Sequence, residues 1–238
     1  MSSDLPQPTE FRDLGRIAYR EAWDLQEALL AENVRLKLAA PRGASPHSLD
    51  TRHYLLFCEH PHVYTLGKSG DPAHLLIPEA QRAALGIEYY RINRGGDITY
   101  HGPGQLVGYP ILDLEKLRTD IGWYLRSLEE AVIRMLESYG LEGGRIAGAT
   151  GVWIGTEGAA PRKICAMGVR CSRWVTMHGF ALNLSPDLGL FSHIVPCGIS
   201  DKGVTSMEAE LGYAPDPEEV KARLLDGLCA LLGLRVQP

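Results

Sequence analysis

Apolar positions set the first elements. Tyr19, Trp23, Gln26, Leu30 and Val34 recur at helical spacing and predict a helix over residues 19–38. The polar, proline-containing opening before it predicts a flexible segment over residues 1–14, followed by one folded domain over residues 15–235. Residues 41–50, PRGASPHSLD, have the composition of a loop. The apolar runs then shorten to strand length. Residues 54–58 and 63–66 predict two buried strands paired through a turn at Glu59-His60-Pro61-His62, and residues 87–92 and 107–112 predict two more. Between Asp120 and Tyr139, seven apolar residues share one helical face, and Gly140 supplies a stop. Residues 152–154, 164–171 and 175–184 read as strands. Pro217, just after Asp216, opens a last helix whose face is Val220, Leu224, Leu228 and Leu231. Helix, strands, long helix, strands, helix is an α/β (α+β) order without strict βαβ alternation.

Composition narrows the class. The 238 residues are 45% hydrophobic and 22% charged, as in an ordinary globular protein. A net charge of −5 and a pI near 5.9 disfavour a general nucleic-acid binder. Five cysteines, with no C-x-x-C among them, argue for free thiols in a reducing compartment and against both a disulfide framework and a zinc site. The opening residues lack a secretory or transit pattern, and no apolar run reaches the roughly 20 residues needed to span a bilayer. The expectation is a cytoplasmic protein that binds neither membrane nor nucleic acid.

Four segments carry candidate chemistry. RGGDITYHGPGQ, residues 94–105, sets four glycines and a proline between apolar runs, which permits close approach of backbone to a ligand. It is neither a P-loop nor a dinucleotide fingerprint, because the glycine spacing is wrong and no G-K-[ST] follows. KICAMGVR, residues 163–170, puts Lys163, Cys165, Met167 and Val169 on one strand face and Ile164, Ala166 and Gly168 on the other. The lysine there is either a solvated strand end or a partly desolvated functional group. TMHGFALNL, residues 176–184, has small residues at Gly179 and Ala181, which leave room for a packed element or for an apolar ligand. IVPCGI, residues 194–199, holds Cys197 in a tight turn. Residue chemistry alone leaves Cys197 open as a nucleophile or a structural thiol, since reactivity requires access and a group that lowers the thiol pKa.

Together and in this order, these segments resemble the lipoyl(octanoyl) transferase (LipB) family. The resemblance runs from about Arg94 to Ser206, through R-G-G-x-x-T-Y-H-G-P-G-Q, K-I-x-A-x-G, W-V-T-x-H-G-x-A-L-N and P-C-G. It implies the fold of the biotin/lipoate protein ligase catalytic domain, a mixed sheet flanked by helices. The implied activity is that of an acyltransferase. It moves an octanoyl group from acyl carrier protein to a lysine of lipoyl domains in 2-oxoacid dehydrogenases or of the glycine cleavage H protein, without metal or cofactor. Cys197 matches the nucleophile that becomes the thioester, and Lys163 the lysine that activates it and moves its proton. The substrate-contact positions fall on Arg94, Gly95, Gly96, Asp97, Ile98, Thr99, Tyr100 and His101, on Ala166, Met167 and Gly168, and on Gly179, Phe180 and Ala181. Cys165 stands where the family often has a smaller residue and is expected in a pocket wall. Gly198 and the 94–104 loop are expected to offer oxyanion donors, and Arg162, Arg170 and Arg173 to help dock an acidic carrier.

Three other readings compete. An ATP-dependent lipoate ligase on the same fold would not need Cys197. A cysteine hydrolase would need a histidine base that the sequence does not obviously place. A non-catalytic lipoyl-domain binding module would tolerate Cys197→Ser.

Overall fold

The computed structural model describes residues 5–158, 160–195 and 203–237. The segment expected to be flexible is instead a strand from residue 7 onward. β1 (Gln7–Arg16) pairs in parallel with β2 (His53–Glu59) on one side and with the C-terminal strand on the other. Few apolar residues mark it. Phe11 meets the ring of Phe57 edge-on at 5.3 Å, Leu14 packs on the opposite core and Arg12 lies over the Tyr54 ring, but much of the strand is held by main-chain pairing, which composition does not report.

α1 (Tyr19–Ala39) follows the spacing that predicts it. The two amides on its inner face are engaged. Asn33 exchanges two bonds with the backbone of Arg52, and Gln26 accepts the His178 N–H at 2.9 Å. β2 buries both faces, Leu55 and Phe57 toward one core and Tyr54, Leu56 and Cys58 toward the other, which explains its unbroken apolar run.

The hairpin expected between β2 and β3 (Val63–Leu66) does not form. His60 is fully buried, with Nδ1 2.8 Å from the Ile17 carbonyl and Nε2 2.8 Å from the Tyr109 hydroxyl. The chain is thereby anchored at the crossing, and β3 leaves for a second sheet. After the short α2 (Glu79–Ala84), β3 pairs in parallel with β4 (Glu88–Arg91) and antiparallel with β5 (Ile98–His101). β5 lies inside the glycine-rich segment that the sequence pattern reads as a loop.

The main sheet resumes with β6 (Gln105–Ile111), and α3 (Ile121–Glu137) follows, capped by the Asp120 carboxylate on the Trp123 N–H. Then come β7 (Gly143–Ile146), β8 (Ala149–Ile154), β9 (Arg162–Ser172), β10 (Val175–Asn183) and the two-residue β11 (Gly203–Val204). α4 (Met207–Leu211), α5 (Pro217–Leu232) and β12 (Leu234–Val236) close the chain. The strand order is β12-β1-β2-β6-β10-β9-β8-β7, with β11 joined to β9. α3 and α5 pack on one face of this sheet through Leu128, Val132, Leu136, Leu224 and Leu228, and α1 covers the other face. This is a two-sided α/β sandwich around a mixed sheet. No helix among the described residues is long and apolar enough to cross a membrane.

His53, His60, His101 and His178 are all buried. Desolvation lowers each of them, His53 to about 4 and His178 to about 3, so each is neutral in the fold at neutral pH. The unfolded chain, titrating near 6.5, then binds more protons than the fold at mildly acidic pH.

Two outcomes follow from this architecture. Stability should be full above pH 6.5 and fall as the pH drops toward 4, by about 1.4 kcal/mol per pH unit for each of His53 and His178. Urea unfolding across this range measures it, and a folded His53→Gln variant should show a shallower slope. Phe11→Ala should lose about 2 kcal/mol in the same assay, whereas no change would mean that β1 is not part of the cooperative fold.

Candidate active site

Site construction begins at Arg94. The residue is only 8% exposed, and its guanidinium donates to the Thr65 carbonyl at 2.6 Å, to Thr65 Oγ1 at 3.0 Å and to the Gly95 carbonyl at 3.1 Å. These bonds tie β3 to the start of the glycine-rich segment. The backbone of residues 67–69 adds bonds to the carbonyls of Arg94, Gly96 and Asp97. The Asp97 carboxylate faces His74 Nδ1 and accepts the Asp71 N–H. The charged side chains at both ends of this turn therefore hold the wall in place.

That wall crosses β9 at close range. Gly95 N–H donates to the Val169 carbonyl at 2.9 Å. A Cβ on Gly168 would lie 2.7 Å from the Gly95 carbonyl oxygen and 3.1 Å from Arg94 Cδ, so only glycine permits the crossing. The room expected at Gly179 is partly taken by a packed element, since a Cβ there would lie 2.2 Å from the Gly108 carbonyl oxygen of β6.

The crossing encloses a cavity of about 430 Å³, within the range of small-molecule sites. Arg94, Gly95, Gly96, Asp97, Ile98, Thr99 and His101 line it, together with Ala166, Met167, Gly168, Gly179, Phe180 and Ala181. Tyr100 does not. Strand alternation in β5 turns its ring away from the cavity into the small-sheet core, where its hydroxyl lies 2.8 Å from His62 Nδ1.

Lys163 also lines the cavity, whereas Cys165 lies wholly in the core beside α3. Simple alternation puts both on one face. The β8–β9 register shifts by one residue between them, with Val152 opposite Cys165 but Trp153 opposite Lys163, and this separates their surroundings.

Several wall residues have a polar role that their sequence motifs do not reveal. Gln105 donates to Asn183 Oδ1 at 2.9 Å, and Asn183 donates to the Thr205 carbonyl at 2.8 Å. His178 adopts a left-handed φ of 58° in the middle of β10, and its Nε2 lies 2.8 Å from Asn93 Oδ1. Asn93 donates to Glu27, which also binds Arg170. With the Asn93 amide nitrogen turned to that carboxylate, its oxygen accepts from His178 Nε2–H. His178, Gln105 and Asn183 stand inside the distinctive segments, so a sequence signal for them exists. Tyr19, Tyr109, Leu125 and residues 148–150 also line the cavity, and their sequence surroundings mark no site.

Cys197 and Gly198 lie outside the described residues. The described chain on either side is anchored. Ile194 bridges Leu75, and Val195 N–H donates to the His74 carbonyl at 2.9 Å. Beyond the segment, Gly203 pairs with Arg162, Val204 pairs with Lys163, and Thr205 N–H donates to the Lys163 carbonyl at 3.0 Å. None of Cys58, Cys165, Cys171 and Cys229 lines the cavity, and burial raises the pKa of each. Arg162 is engaged in a two-point pair with Glu210, and Arg170 with Glu27, so of the three arginines expected at a docking face these two already serve intramolecular roles. Arg173 sits with Trp174 at the β9–β10 turn, both with positive φ. Among the described residues no group of three His, Cys, Asp or Glu could hold a metal ion.

Known proteins match this arrangement. The model of the lipoyl protein ligase A/B catalytic domain matches residues 18–229. An octanoyltransferase of Flavobacterium johnsoniae is 57% identical over 93% of this chain and 95% of its own. An octanoyltransferase of Christiangramia forsetii is 58% identical over 91% and 92%. Among solved structures, a bi-partite lipoate protein ligase of Thermoplasma acidophilum superposes with a TM-score of 0.66 at 17% identity, covering 98% of this chain and 86% of that one, a likeness of fold. The chain therefore belongs to the lipoyl protein ligase A/B catalytic-domain family and is an acyltransferase of its octanoyltransferase branch.

Proposed function

We propose that this protein transfers an octanoyl group from acyl carrier protein to the ε-amine of a lysine in a lipoyl domain or glycine cleavage H protein, through a thioester on Cys197. The observation that carries the reading is the position of Lys163. It lines the same cavity as the motif residues and pairs directly with the strand that follows the Pro196-Cys197-Gly198 segment. Elimination supports it too, since the four described cysteines are all off the cavity.

The chemistry follows from these groups. The Cys197 thiolate attacks the thioester carbonyl of the carrier's phosphopantetheine arm, and the C–S bond to the carrier breaks. The departing thiolate takes a proton from the Lys163 ammonium. The neutral acceptor amine then attacks the Cys197 thioester, Lys163 removes a proton from the nitrogen, and Cys197 leaves as thiolate. Thioester becomes amide, so the second step runs downhill and ATP is not required. An octanoyl chain in the cavity meets the apolar surfaces of Met167, Val169, Phe180 and Ala181, with about 0.8 kcal/mol gained per buried methylene. His178 and His101 stay neutral at neutral pH because of burial. They therefore contribute uncharged polar groups to the cavity wall, and the proton shuttle of this reading is Lys163.

Mixing with octanoyl carrier protein should give an octanoyl mass adduct on Cys197 that hydroxylamine removes. The adduct should be absent in Cys197→Ala and at least about a hundredfold slower to form in Lys163→Ala. Intact-mass spectrometry reads both. Modification of a lipoyl domain with octanoate and ATP by Cys197→Ala would instead establish an ATP-dependent ligase.

A further inference from the structure

The β8–β9 irregularity has a chemical consequence. Unshifted pairing from Val152 and Cys165 would set Trp153 opposite Ile164. The one-residue bulge at Ile164 sets it opposite Lys163, and Ile164 itself is fully buried in the core. Lys163 Nζ then lies 4.6 Å from the centre of the Trp153 ring. Trp153 is only 2% exposed, and its indole N–H donates to the Ala149 carbonyl at 3.1 Å, so the ring plane is held.

Gly151 completes the surface. It sits two residues before Trp153, on the same side of β8. Its φ is 118°, and the position of a missing Cβ would be 2.5 Å from the Cys165 carbonyl oxygen and 3.6 Å from Lys163 Cε. The lysine stem thus runs over bare backbone. Gly151 is itself fastened from below, because its N–H donates at 3.0 Å to Glu129, a fully buried carboxylate of α3 that also binds Arg126 and Arg145.

We infer that Trp153 is a positioning residue for the transfer reaction, whose indole face holds the Lys163 ammonium in place over Gly151. The inference rests on the reading of Lys163 as the partner of Cys197. A ring face attracts an ammonium and gives little to a neutral amine. It therefore favours the resting enzyme, in which lysine is charged and the thiol ionised, and it limits the lysine's swing when the proton moves.

The test combines kinetics with a direct probe of geometry. In the wild-type chain the Lys163 ε-methylene protons, assigned by their loss in Lys163→Met, should be shifted upfield by the ring current, and the shift should vanish in Trp153→Leu. Trp153→Leu should acylate Cys197 roughly 3- to 30-fold more slowly. Trp153→Phe, which keeps a ring face, should stay within about threefold of wild type. Thermal melts confirm that each variant is folded at the assay temperature. If the leucine variant does not fold, the wild-type ring-current shift decides alone. Slow acylation by Lys163→Met together with a wild-type rate in folded Trp153→Leu overturns this inference and leaves the dyad standing. A wild-type rate in Lys163→Met overturns the dyad and this inference with it.

Discussion

The contact on which the site depends is the passage of the Gly95 backbone over β9 at Gly168. One hydrogen bond, from Gly95 N–H to the Val169 carbonyl, joins the small sheet's loop to the main sheet, and the absence of a side chain at 168 lets them meet. The cavity exists because two sheets are held at this distance. Arg94 secures one side of the crossing by directing its donors to Thr65 and Gly95, and the Asp97–His74 pair secures the other. A cation and an anion that a motif reading assigns to substrate are thus largely committed to architecture, while the apolar and backbone surfaces between them face the cavity.

The same division recurs deeper in the wall. His178, Asn93, Glu27 and Arg170 form a chain of bonds that runs from the cavity to α1, and Gln105 and Asn183 form another that reaches the strand leaving the Cys197 segment. Buried polar groups must be paired, so such chains fix side-chain orientation and tautomer. Two buried histidines, His178 and His101, stand in the cavity wall. Desolvation keeps them uncharged, and Lys163 reaches the cavity from a different strand, β9.

The order of the main elements was legible in the sequence. α1, α3 and α5, and the strands at 53–59, 105–111, 149–154, 162–172 and 175–183, all carry a strong apolar period or a continuous buried run. β1 and β12 were not legible, because their strand state comes from pairing with distant chain, β1 with β2 along most of its length and β12 with β1 across nearly the whole chain, Gln7 opposite Leu234. The expected β2–β3 hairpin was wrong for a related reason. A short turn between two apolar strands suits a hairpin locally, but burial of His60 against Ile17 and Tyr109 fixes the crossing and sends β3 to other partners.

The sequence by itself therefore offered the candidate residues and the segments that carry them, and determined the family to which the chain belongs. Only the tertiary structure decided which of these face one another. It turned Tyr100 out of the cavity by strand alternation, committed Arg162 and Arg170 to internal partners, and drew in Tyr19, Leu125 and residues 148–150 from segments without a signal. A single bulge also set Trp153 against the candidate lysine, where a regular ladder would have set it against Ile164. The physical reason is that strand register is a property of paired chains: a one-residue shift exchanges every neighbour, and no local pattern along β9 announces where that shift falls.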